Sequence, residues 1–314
     1  MYTFLHEIKS NNTPLIEQCP IDNQYKLITY IWLGDRKTEN VYVFGSFPGW
    51  DLSVNQLKRL LQTDIWYQTF RTDKSFISTY YFSVNDFFEN DWIKRSEQYE
   101  LDRFNGNTFG EGANKASVLS IGMEVQYSSR FPSNHYPSGK IETHSFHSTI
   151  LNNTRKIHIY TPHDYFHTSH PQELLIVFDG NSFIKNLSIA KTLNYTTISG
   201  FSLGGLAAFY AALQNPHVFG NVLSMSGSVH WKKGGYENQI SSIDSNTSQT
   251  HFYIAAGELE NKPLLTANRR LYKALKGKGY PNTYEEFQGA HDGVWWREKL
   301  FDGLKALKLK KTTL

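Results

Sequence analysis

Thr196-Thr197-Ile198-Ser199 is a short β-branched run that passes through Gly200-Phe201-Ser202-Leu203-Gly204-Gly205 into the Ala-rich segment Leu206 to Gln214. A strand that feeds a helix through so tight a glycine turn belongs to an α/β sheet. It is the local arrangement that lifts a serine hydroxyl above the sheet, with small flanking residues that let strand and helix approach each other. The helix start also aims backbone N–H groups and a positive dipole end at whatever binds there. The bare G-x-S-x-G pattern is common. Its strand–turn–helix setting makes Ser202 a candidate nucleophile rather than part of an ordinary glycine turn.

The surrounding pattern agrees. After Gly139, Ile141 to Ile150 and Arg155 to Tyr160 read as strands, and Glu173 to Phe178 reads as a strand buried on both faces. Further strands are expected within Val218–Met225, at Phe252–Ala256 and at Tyr284–Phe287, with a helix over Thr266–Lys276. Strands alternating with helices mean an α/β domain. The first ~120 residues differ: Lys26–Trp32, Asn40–Phe44, Ile65–Phe70 and Ile77–Phe82 are short aromatic strands between turn signals, the pattern of a β-sandwich. The 314 residues suit two such domains. Residues 101 to 140 are punctuated by Gly, Asn, Ser and Pro and read as a surface connection. We assign a sandwich at 1–125, a linker at 126–140 and an α/β domain at 141–314.

Composition narrows the function classes. The net charge of +3 is too mild for a nucleic-acid footprint. No apolar run approaches the ~18 residues of a membrane span. The basic cluster Lys305, Lys308, Lys310 and Lys311 reads as a solvated helix end. The single cysteine, Cys19, allows neither an internal disulfide nor a Cys-based zinc site. With a start that lacks a signal-peptide pattern, these features predict a cytoplasmic protein.

A serine at its ordinary pKa needs a base, and the base needs a carboxylate to orient it. In the chain order serine, acid, histidine, the late histidine is His291, in a Gly-Ala-His-Asp-Gly loop after the last expected strand. His144 and His147 precede the nucleophile on one strand and read as strand residues. For the acid, Glu258 and Glu260 both follow the strand ending at Ala256, and Asp244 is a third choice. An oxyanion hole needs two convergent N–H donors. Leu203, directly after the nucleophile, is one candidate, and Asn181 in the Asp179-Gly180-Asn181 loop is the other.

In this order the residues resemble the enterochelin (enterobactin) esterase family. The resemblance rests on Val41 to Gly45, Asp64 to Phe70 and Tyr80-Tyr81-Phe82 in the first domain. In the second it rests on Tyr160-Thr161-Pro162, Phe178-Asp179-Gly180, Gly200 to Gly205, Ser224 to Ser228, His291-Asp292 and Trp296-Arg297. It implies an α/β-hydrolase domain behind an immunoglobulin-like lid domain. It also implies Ser202 as nucleophile, His291 as base and Glu260 rather than Glu258 as the acid. Arg103, in the 101–140 stretch read as a surface connection, and Arg297 are the candidates for facing an anionic substrate. Two departures stand out. The family's usual Asp-Pro-Leu-Asn-Pro is here Asp102-Arg103-Phe104-Asn105-Gly106. Ser202 also follows Gly180 by only 22 residues, where the family fits two helices and a strand, so a segment is expected to be missing near Phe183–Ile184.

The resemblance implies a serine esterase that opens the lactone bonds of a ferric catecholate siderophore, with iron arriving as part of the substrate. Two alternatives stand beside it. One is a feruloyl or acetyl-sugar esterase whose first domain binds carbohydrate through Trp32, Trp50 or Trp66. The other is a catalytically impaired, esterase-derived binding protein. Turnover of a simple aryl ester separates the last from the other two.

Overall fold

The structure, a computed structural model, describes residues 13–110, 115–123, 139–161, 174–180, 196–231 and 250–309. The chain divides into two units. The first is Met1–Val125 with Gln288–Val294; the second is Gln126–Phe287 with Trp295–Leu314.

The first unit contains two four-stranded antiparallel sheets. One has the order β1 (Leu15–Gln18), β2 (Lys26–Leu33), β5 (Ile65–Thr72), β4 (Lys58–Arg59). The other has the order β3 (Val41–Gly45), β6 (Phe76–Val84), β8 (Ala116–Ile121), β7 (Thr108–Phe109). Alternation along β2 drives their packing. Ile28, Tyr30 and Trp32 share one face and are buried. Tyr30 meets Tyr80 edge to face at 4.9 Å, and Trp32 meets Phe82 at 5.2 Å, so the two sheets form a sandwich around an aromatic core. Residues 108–109 and 116–121 correct the reading of 101–140 as a connection. Val118, Leu119 and Ile121 are buried in the sandwich, and Ser117 and Ser120, three positions apart, break the period-two alternation that marks a strand.

A short helix, α1 (Trp92–Ser96), begins at Asp91, whose side chain accepts from the Lys94 amide. It carries Arg95, fully buried, into a two-pronged bond with Asp86 at 2.6 and 3.1 Å.

The second unit is built on a parallel sheet in the order β11 (Leu175–Val177), β12 (Thr197–Phe201), β13 (Asn221–Met225), β14 (His251–Gly257), β15 (Asn282–Phe287). Successive residues of β13 serve opposite faces. Val222 packs with Phe209, Phe252 and Leu271 against α2 (Ser202–Gln214) and α3 (Lys262–Gly277). Leu223 packs with Met225, Leu300 and Leu307 against α4 (Gly293–Leu309). Helices on both faces of a parallel sheet make this an α/β domain.

The expectation that Glu173–Phe178 is buried on both faces is not met. Leu174 is 55% exposed and Leu175, Ile176 and Val177 are half-buried. Among the described residues, β11 ends the sheet and pairs only with β12. The antiparallel hairpin of β9 (Lys140–Ser148) and β10 (Asn153–Thr161) forms a separate two-stranded sheet. Its apolar residues Phe146, Ile157 and Ile159 stay exposed. The expected gap at Phe183–Ile184 lies outside the described residues.

Candidate active site

Ser202 occupies the junction between β12 and α2 with φ of +53°, a left-handed conformation that a non-glycine residue adopts only where its surroundings enforce it. Glycine makes the turn possible. A Cβ on Gly200 would lie 2.4 Å from the carbonyl carbon and oxygen of Gly204, so no side chain fits where the strand meets the first helical turn. Leu203 follows in that first turn, half exposed. At this position its N–H is one of those left over at a helix start. This is the strand–turn–helix geometry expected of the segment.

The neighbouring strand supplies a polar partner that sequence reasoning did not single out. Ser228, nearly buried, follows β13. Its hydroxyl lies 3.3 Å from that of Ser202, and its amide donates to the Ser202 carbonyl at 2.9 Å. The intervening turn is fastened from two sides. Ser226, at φ +51°, donates its amide to Ala255 and accepts from the Trp296 indole at 2.9 Å. The buried Asn268 of α3 donates to the Gly227 carbonyl at 2.9 Å. Trp296 also stacks on Phe201 at 4.1 Å, directly before the nucleophile candidate.

Asp179, after β11, takes a left-handed conformation with φ of +60°. A Cβ on Gly204 would lie 2.8 Å from its carboxyl, which therefore covers the first turn of α2. Burial pushes the Asp179 carboxyl above its usual range. Asn181 lies outside the described residues, as does Asp244.

The two glutamates after β14 differ sharply. Glu258 is exposed, with its amide bonded to Phe287. Glu260 is 8% exposed, and one carboxyl oxygen accepts from the Gly257 amide at 3.0 Å, closing a turn at the carboxyl end of the strand. Ser202 leaves the carboxyl end of β12 and Glu260 that of β14, and both belong to one parallel sheet, the edge where such sheets carry their sites.

His291 follows β15 by four residues and belongs to the first unit. There its carbonyl accepts from Ser46 Oγ at 3.0 Å. Asp292 beside it is 3% exposed. One of its oxygens takes both the amide and the hydroxyl of Thr79, at 2.7 and 2.9 Å, and the other takes the Val294 amide at 3.0 Å.

Arg103 has a 62% exposed side chain. It pairs with Glu100 at 3.0 Å and lies 4.5 Å over the Trp32 ring. Arg297 is mostly covered, 3.7 Å from Glu298. His144 and His147 are exposed on the β9–β10 hairpin, where His147 bonds Thr154. Of the three tryptophans considered for sugar stacking, Trp32 and Trp66 are core residues, whereas Trp50 is 49% exposed beside Trp92. No group of metal-ligating side chains occurs among the described residues.

Residues 190–307 match the profile of the family described as "Putative esterase". The iron(III) enterobactin esterase of Escherichia coli O6:H1 is 35% identical over 115 residues, 35% of this chain and 28% of that protein. The iron(III) salmochelin esterase of the same strain is 30% identical over 125 residues, 36% of this chain and 30% of that protein. The chain thus matches less than a third of the length of these relatives. In three dimensions it is similar to the ferric enterobactin esterase of Salmonella typhimurium, with a TM-score of 0.74 and 18% identity over 98% of both chains. It is also similar to the enterobactin esterase of Shigella flexneri solved in the presence of enterobactin, with a TM-score of 0.69 and 21% identity over 95% of this chain and 96% of that one. Residues 190–307 thus carry an esterase profile, and the fold of the chain is the one seen in the ferric enterobactin esterase structures.

Proposed function

We propose that this chain is a cytoplasmic serine esterase that hydrolyses the lactone bonds of a ferric catecholate siderophore, such as enterobactin, so that iron is released. The observation that carries the reading is the strained Ser202 at the β12–α2 junction, together with relatives named for that activity.

In this reading Ser202 Oγ attacks the ester carbonyl while His291 takes its proton. The leaving alcohol receives that proton, and water then releases the acyl group by the same exchange. The amide of Leu203, with that of Asn181, stabilises the oxyanion. Glu260 orients the imidazole, since a carboxylate in that role must be shielded and held, and Glu260 rather than Glu258 is buried and hydrogen-bonded. Arg103 is the better candidate than Arg297 for meeting the anionic iron complex, because its guanidinium is largely exposed. The route uses no metal of the protein's own; iron belongs to the substrate.

Incubation with iron-free and iron-loaded catecholate trilactones, followed by product analysis, tests the proposal. Linear hydroxyacyl-serine products that disappear in Ser202→Ala support it, and intact trilactone overturns it. A sugar-ester esterase is the second reading, favoured by the exposed Trp50 next to Trp92. Binding to soluble xylan or glucan, lost in Trp50→Ala, would shift the assignment there.

A further inference from the structure

We propose that Thr79 and Ser46 are positioning residues for His291, acting through Asp292 and the backbone of the loop that carries the base. The proposal rests on the reading of His291 as the base and adds the device that holds it.

The observations come from one unit of the chain. The loop 288–294 is short, and its central residue, His291, has no regular secondary structure of its own. Two ties fix it. Ser46 Oγ donates to the His291 carbonyl, which sets the peptide plane from which the imidazole projects. Asp292 is buried, and three donors converge on its carboxyl: the Thr79 amide, the Thr79 hydroxyl and the Val294 amide. A carboxylate with this many donors is held in one orientation, and the adjoining His291 backbone with it.

The sandwich side of the clamp is itself rigid. Ser46 donates its amide to the Thr79 carbonyl at 3.3 Å, so the two clamping residues are bonded to each other. Phe47 donates to Ser78 Oγ at 2.9 Å in the same corner. A Cβ on Gly45 would lie 2.2 Å from the Thr79 carbonyl oxygen, which shows how closely the end of β3 is pressed onto β6. The nearby Tyr81 hydroxyl is pushed up to about 12, by burial first and by the Asp292 charge second.

Thr79 and Asp292 are more than two hundred residues apart in sequence, so the tie serves no local turn. It commits the sandwich to the placement of the base. A base displaced by ~1 Å costs on the order of a hundredfold in rate, on small esters as well as large ones.

The test uses the full chain with Thr79→Val, Thr79→Ser and Ser46→Ala, assayed on p-nitrophenyl acetate beside Ser202→Ala. Expected are a kcat lowered about tenfold or more in Thr79→Val with KM within about twofold, and recovery to within about threefold of wild type in Thr79→Ser. Hydrogen exchange of the 288–294 peptide should quicken in Thr79→Val and in Ser46→Ala while the melting temperature stays close to wild type. Ser46→Ala keeps the test informative where Thr79→Val fails to fold. Wild-type kcat in both variants, or a loss in Thr79→Val that Thr79→Ser does not restore, overturns the proposal. An unmodified chain that turns over no aryl ester overturns the esterase reading instead. Hydrogen exchange in the loop then still decides whether the clamp exists, since unchanged exchange in both variants overturns it.

Discussion

The hydroxyls of Ser202 and Ser228 lie 3.3 Å apart, and the Ser228 amide donates to the Ser202 carbonyl at 2.9 Å. The nucleophile candidate is therefore held from the neighbouring strand as well as by its own elbow. Ser202→Ala should lower aryl-ester turnover by about four orders of magnitude, the scale on which removal of a nucleophile acts. Ser228→Ala removes one neutral hydrogen bond and should cost about fivefold in kcat/KM. A large loss in Ser228→Ala with only a small one in Ser202→Ala would make Ser228 the reacting group to pursue.

Glu260 and Glu258 offer a controlled comparison, because they share a loop and differ in burial and bonding. Glu260→Gln should reduce kcat by at least about a hundredfold, since a neutral amide holds the imidazole in the wrong tautomer. Glu258→Gln, on the exposed side, should leave kcat within about twofold. Small, equal effects would move the acid elsewhere, with Asp244 next.

Gly200 tests the elbow as a packing device. An alanine there would set a Cβ 2.4 Å from the Gly204 backbone, which has no flexible end to move aside. Gly200→Ala should cost about 3 kcal/mol or more, read by urea unfolding. Gly106→Ala, facing open space, should change stability little.

Much of the architecture was legible in the sequence because its signals are local. Alternation marked β2, β3, β5 and β6, and the glycine turn marked Ser202 within two elements that it joins. What stayed hidden was set by distant partners. β8 carries serines three positions apart, which breaks the alternation, and only the sheet it joins shows that Val118 and Leu119 are core. The apolar run at β11 looked doubly buried because apolar content does not say whether a neighbour exists on each side. Ser228 and Thr79 carry no motif of their own. Each gains a role only from where the fold brings Ser202 or Asp292.

Asp86 and Arg95 predict a pH dependence for the sandwich. Burial alone would raise the Asp86 carboxyl. Hydrogen bonds from Arg95 and the Phe88 amide, with the Arg95 charge, outweigh that and hold it below the usual range. A depressed carboxylate stabilises the fold above its unfolded value, near pH 4, and that contribution is lost as pH falls through the lower folded value. Asp86→Asn leaves Arg95 buried without its counter-charge and should cost about 3–5 kcal/mol near neutrality. The gap between wild type and variant should be full at pH 6 and narrow below about pH 4. A gap that widens in acid would contradict the sign.

Among the described residues the parallel sheet ends at β11, and this makes the last prediction. β13 is buried along all five residues and pairs with β12 and β14, whereas β11 is half-exposed and pairs only with β12 among the described residues. The β9–β10 hairpin stands as its own sheet with Phe146, Ile157 and Ile159 exposed. Local openings range from nearly free at edges to the full unfolding energy in a core strand. Amides of β13 should therefore exchange at the rate of global unfolding, and those of β11 and β10 at least about a hundredfold faster. An exposed apolar edge also invites pairing with other chains, which a lysine opposes. Ile157→Lys should reduce aggregation on storage, measured by light scattering, without lowering the melting temperature. Slow exchange in β11 equal to that of β13 would mean that a further strand covers β11, and a lower melting temperature in Ile157→Lys would mean that the Ile157 face of β10 is covered.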